Sequence, residues 1–149
     1  MMQFITEDEY KERYKKKLWL WGSYTREKEA AERRLHEIED ELRWNADFPK
    51  NAARNCHVRS VDNKHTDVER LQLECASLPH IIDDIVQERS YLGLDEFIAG
   101  LQPADRELIK QVFTRQIPYR DIEMMLPRSK SNVGYRIDQL ILKTWDTSH

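Results

Sequence analysis

From Val68 to Leu92 an apolar side chain returns in alternating steps of three and four: Val68, Leu71, Cys75, Leu78, Ile82, Ile85 and Leu92, with Arg89 the polar exception. A seven-residue repeat of this kind gathers the apolar positions on one stripe of an α-helix, and that stripe has to be covered. A second stripe exists to cover it. Trp21, Tyr24, Ala31, Leu35, Ile38 and Leu42 follow the same spacing, interrupted by Lys28. Four glycines and five prolines in 149 residues leave few turn residues for a multistrand sheet. With 34% of residues charged, above the usual quarter, the composition suits long helices with wet outer faces. The predicted fold class is all-α.

The ends of the helices are written in capping residues. Thr6-Glu7-Asp8-Glu9 has capping-box spacing, and helix formers then run to Trp44 with Gly22-Ser23 as the weak point. This predicts one long helix, or two with a joint near Gly22. Residues 45–65 break the periodicity with Asn45, Asp47, Pro49, Asn51, Asn55, Asp62 and Asn63. A loop of about twenty residues predicts disorder, or order gained on binding a partner. Thr66-Asp67-Val68-Glu69 repeats the capping signal for the second helix, which Pro79 should kink or split and Gly93 should end. Two seams joined by a flexible loop predict an antiparallel helical hairpin over 1–100. The same seams can instead pair between two chains as a coiled-coil homodimer.

The remainder, 101–149, predicts a separate trihelical module after a linker or extra turn at 94–99. Pro103 opens a helix to roughly Arg115 with Leu108, Ile109, Val112 and Phe113 on one face. Pro118 precedes a short helix over Tyr119–Leu126, and Pro127 stops it. Ser129 is the expected cap of a third helix reaching about Trp145, with Val133, Ile137, Leu140 and Ile141 inward. Helix, short helix, tight turn and longer helix is the order of a helix-turn-helix DNA reader, whose last helix must carry small, polar and cationic side chains at the end that enters the major groove. Lys130, Ser131, Asn132, Tyr135 and Arg136 stand there as base-reading candidates, since Lys or Arg matches guanine O6/N7 and Asn matches adenine N6/N7. Arg115, Tyr119, Arg120, Arg128, Ser129 and Lys143 are the phosphate candidates, and the helix N-terminus itself favours a phosphate oxygen.

The run from Tyr119 through Asp121-Ile122, Leu126 and Ser129-Lys130-Ser131-Asn132-Val133 resembles region four of bacterial sigma factors, and Asp105-Arg106-Glu107-Leu108-Ile109 fits that region's first helix. The layout as a whole is similar to the sigma-like late transcription regulators of phages and prophages in Gram-positive bacteria, the ArpU/RinA type. The specific part covers about 101–145. The resemblance implies a transcription activator of late packaging and morphogenesis genes that binds promoter-proximal double-stranded DNA or host RNA polymerase. Two features depart from the pattern. Pro127-Arg128 replaces the usual glycine and apolar residue of the turn, and Gly134 lies inside the third helix, at a cost of about 1 kcal/mol relative to alanine.

Charge is segmental. Residues 66–102 hold two Lys and Arg against eight Asp and Glu, whereas 103–149 hold eight against six. A polyanion is therefore expected at the C-terminal end and a protein at the acidic hairpin, either a second copy or host polymerase. Lys15-Lys16-Lys17 beside Trp19 and Trp21 reads chiefly as an ordinary helix face, with a nucleic-acid patch as the lesser reading. Cys56, His57, His65, Cys75 and His80 lack ligand spacing, so no metal and no cofactor is expected. No catalytic constellation is visible, and no enzyme is expected. Two cysteines without an apolar leader suggest the bacterial cytoplasm, and apolar runs of at most four residues exclude a membrane span. The rival expectation is an adaptor that captures a host protein without touching DNA.

Overall fold

The computed structural model of the chain describes residues 5–47, 58–126 and 132–148. Every regular element among them is helical, so the class is all-α. α1 spans Glu7–Asp47 and α2 Val58–Ser90; α3 is Asp95–Ala99, α4 Pro103–Ile109, α5 Tyr119–Met125 and α6 Val133–Ser148. α4 continues into one turn of π-helix over Lys110–Thr114. Thr6 does cap α1, its hydroxyl oxygen accepting from the Glu9 amide at 3.2 Å.

The structure bears on the sequence reading of the two long helices at three points. α1 is the single long helix of the two alternatives, with no joint at Gly22. α2 opens at Val58, two turns before Thr66, and so takes in most of the second half of the expected loop. Residues 48–57, with Cys56 and His57, lie outside the described residues. α2 also runs through Pro79 without splitting. The extra turns at its start follow from cooperativity: once a helix is nucleated, each further residue costs only its own propensity, and 58–66 contains no glycine or proline.

The chain divides into two compact units, one made of Met1–Arg26 with Glu88–His149 and the other of Glu27–Gln87. The second unit is the hairpin. Ile38 and Leu78 are buried, and Leu35, Leu42, Leu71, Cys75, Ile82 and Ile85 are half-buried on the seam. Arg34 grips Glu74 with both edges of its fork, Nε to Oε1 at 2.8 Å and Nη2 to Oε2 at 3.1 Å. That hydrogen bonding holds the Glu74 carboxyl below its ordinary range.

The first unit corrects the expected boundary at residue 100. Leu18 and Trp21 of α1, Leu94 just before α3 and Ile98 within it, Leu108, Ile109, Val112 and Phe113, then Ile122, Val133, Ile137, Leu140 and Ile141 form one core. Of the two readings of 94–99, linker or extra turn, the extra turn holds: Leu94 and Ile98 enter the core, whereas Glu96 and Ala99 are exposed. The reason for the shifted boundary is that the apolar stripe of α1 runs on N-terminally from Trp21 through Leu18, Tyr14 and Tyr10, beyond the part that the hairpin uses. Trp21 Nε1 donates to Asp95 Oδ1 at 2.8 Å, and the Arg89 guanidinium lies 5.4 Å from the centre of the Trp21 ring. Tyr10 stacks on Trp145 at 5.3 Å, and Tyr14 meets Phe97 edge-on at 5.5 Å.

Burial among these rings pushes the Tyr14 phenol up to about 12, against a lowering hydrogen bond to Thr144 and with a smaller upward push from Tyr10. The unfolded chain releases this proton near pH 10 while the folded chain keeps it. The stabilisation is complete below pH 10 and is lost between pH 10 and about 12. Thermal melts across that window should fall less steeply for Tyr14→Phe than for the parent; equal slopes would rule the phenol out as the cause.

Candidate nucleic-acid interface

The short helix α5 braces α6 through Ile122, Val133 and Ile137, each at most 1% exposed, with Leu126 partly buried against the same core. The faces predicted for α4 and α6 are also inward, from Phe113 at 0% to Leu140 at 6%. What is left outward on α6 is a strip: Asn132, Tyr135, Arg136, Gln139 and Lys143. The separations are those of one helical face. Tyr135 is 60% exposed. Asn132, Gln139 and Lys143 are exposed and Arg136 is half-buried.

Between Asn132 and Lys143 the strip carries no carboxylate. Asp138 leaves it by pointing at α1, where Lys15 lies 2.8 Å and Lys11 3.9 Å away. Lys15 is thereby committed to an ion pair, while Lys16 and Lys17 are exposed. Trp19 is half-exposed with its ring edge-on to Phe113 at 4.8 Å.

Several expected roles change. α6 begins at Val133, so the helix is capped by Asn132, whose Oδ1 accepts from the Tyr135 amide at 3.0 Å, rather than by Ser129. The Val133 amide donates to Glu123 Oε1 at 3.1 Å. A carboxylate of the protein's own therefore occupies the helix end that would favour a phosphate oxygen. Lys130 and Ser131, with Arg128, Ser129 and Pro127, lie outside the described residues. Arg136 is not a free cation: its Nη2 donates to Asp105 Oδ1 of α4.

Among the phosphate candidates, Arg120 is exposed at the start of α5, and Arg115 is exposed but paired with Glu107 at 2.8 Å. The Tyr119 ring packs on Gly134, where an added Cβ would sit 3.4 Å from Cε2. The first turns of α5 and α6 meet there, and an alanine at 134 would stand in ordinary contact with the ring. Burial pushes the Tyr119 phenol up, with Lys15 drawing it down and Asp138 adding to the rise. Two groups escaped sequence reasoning. Gln139 was visible in principle, one turn beyond Tyr135 and Arg136. Asp105, 31 residues before Arg136, becomes apparent only once α4 and α6 cross.

The segment feeding this module is built tightly. In the π turn the Arg115 amide reaches Lys110 O at 2.9 Å and the Ile117 amide reaches Gln111 O at 3.0 Å. Gln116, at φ 56°, ends the turn in the left-handed region that side chains rarely adopt. Arg26 Nη1 donates to Phe113 O at 3.0 Å and to Thr114 O at 2.9 Å, satisfying carbonyls the helix end leaves open. At the far end of α5, Met124 and Met125 are 79% and 65% exposed.

Among the described residues no helix is long and apolar enough to cross a membrane, and no three His, Cys, Asp or Glu side chains group as they would around a metal ion. Comparison with known proteins finds no family model, no curated protein and no solved structure that matches the chain.

Proposed function

We propose that the chain is a DNA-binding transcription regulator that lays the outward strip of α6 into the major groove, with Arg120, Lys143 and the cations around the turn on the flanking phosphates. The observation carrying this reading is the strip itself: amide, phenol, guanidinium, amide and ammonium groups in helical register, the helix's own Asp138 neutralised elsewhere by Lys15. Asn132 and Gln139 match adenine edges and Arg136 a guanine edge. With the sigma-like pattern of 119–133, the reading extends to phage or prophage promoters and activation of late genes. The acidic hairpin is the face suited to protein, host RNA polymerase or a second copy, since it would repel DNA.

Exposed Met124 and Met125 favour one other reading, an adaptor that holds host polymerase and leaves DNA alone, because methionine surfaces adapt to protein partners. Fluorescence anisotropy of the full chain on duplex DNA separates the two. With four phosphates neutralised, affinity should fall roughly 150-fold between 50 and 200 mM salt. Lys143→Ala should weaken every duplex alike, whereas Asn132→Ala and Gln139→Ala should relax preference at single positions. Binding that is absent, or indifferent to salt, rejects the regulator.

A further inference from the structure

Arg136 sits on the edge of the α6 strip nearest α4, its side chain 31% exposed, and the Asp105 carboxyl that holds it is 17% exposed. The other charged groups of α4 have separate duties. Arg106 donates to Ala99 O and Leu101 O, and Glu107 is paired with Arg115. Asp105 is the α4 carboxylate that reaches across to α6. A guanidinium has five N–H donors in a rigid plane, so a carboxylate oxygen on one Nη2–H leaves the other Nη2–H and the neighbouring N–H parallel to it as a donor pair in a fixed orientation. Two parallel donors on a fixed plane are what guanine O6 and N7 require.

This arrangement, which rests on the DNA-reading role proposed above, points to Asp105 as a positioning residue for sequence specificity: it aims Arg136 at a guanine. The opposite role makes an opposite prediction. A carboxylate that merely competes with DNA for Arg136 weakens binding to every duplex equally, so its removal would tighten all of them. A carboxylate that aims the guanidinium discriminates one base pair, and its removal blurs that base pair alone.

The experiment is selection of binding sites from random duplexes with the full chain, followed by competition against every single base-pair change, for the parent, Asp105→Asn, Asp105→Glu, Arg136→Lys and the Asp105→Asn/Arg136→Lys double variant. Asp105→Asn keeps shape and removes charge. It should lose about tenfold of discrimination at one guanine-bearing position, and Arg136→Lys should lose the same position. The double variant should lose no more than either single one, because the two residues act as one unit. Asp105→Glu should restore most of the preference, which a general loss of folding would not allow. An unchanged profile for Asp105→Asn, or a uniform tightening on all duplexes, overturns the positioning role while leaving DNA binding intact. A parent protein that selects no duplex at all overturns both.

Discussion

Gly22→Ala is expected to destabilise the unit formed by Met1–Arg26 and Glu88–His149 by about 2 kcal/mol or more, although alanine is the better helix former. In an isolated helix the change would gain about 1 kcal/mol. Here a Cβ at position 22 would lie 1.9 Å from the Phe113 carbonyl oxygen and 2.4 Å from its carbon. Both atoms belong to backbone, so no rotamer change relieves the overlap, and overpacking of this kind costs about 1–3 kcal/mol, occasionally more. Retreat of the π turn would also pull Phe113 O and Thr114 O off the Arg26 guanidinium. The clash and the lost hydrogen bonds outweigh the propensity gain. Guanidinium unfolding followed by circular dichroism gives the number, and a variant as stable as the parent would mean that α1 and the π turn do not approach closely.

This glycine also shows where the sequence could be read and where it could not. At Gly22 the chain looks like a break in a helix, the residue being the poorest helix former of its stretch apart from proline. The structure uses it as the opposite, a gap that lets a continuous helix take another backbone against it. A local reading has no access to that, since Phe113 is 91 residues away by number. The apolar faces of α4 and α6 were legible because period and burial are the same fact seen twice: Leu108, Ile109, Val112 and Phe113 lie inward for the reason they recur. The unit boundary was not, because one α1 stripe serves both units and the reading began it at Trp21. Tyr10, Tyr14 and Leu18 extend it N-terminally, spaced four, four and three apart up to Trp21.

The candidate interface divides in the same way. Helical register alone puts Asn132, Tyr135 and Lys143 on one outward face, and register is a property of sequence. Which members of the face are committed elsewhere is a property of crossings. Arg136 is drawn to Asp105, the end of α6 to Glu123, and Asp138 to Lys15. Each of these pairs spans ten residues or more and depends on how α1, α4 and α5 lie against α6. None has a short-range signature.

Phe113→Ala should be the costliest single truncation in this unit, by about 3–5 kcal/mol. Phe113 is the largest of the fully buried side chains, at 0% exposure. It lies in the π turn that joins α4 to the segment leading into α5, and its ring takes the edge of Trp19 at 4.8 Å and 72°. Loss of the aromatic pair alone accounts for about 0.5–1.5 kcal/mol of the total. The remainder is transfer and cavity, and a π turn fixed at both ends by Arg26 and the Ile117 amide has little freedom to collapse into the space. A melting temperature lower by at least roughly 10 °C follows for a unit of this size. Phe113→Leu keeps most of the volume and should cost under half as much. Trp19 supplies the local readout, because its half-exposed indole loses its ring partner and its emission should shift to the red in Phe113→Ala before any global transition. If DNA affinity then falls only in step with the unfolded fraction, Phe113 supports the module without touching its ligand. A Phe113→Ala protein that melts with the parent would show that the core around the π turn is loosely filled, and would remove the physical basis for a rigidly presented α6.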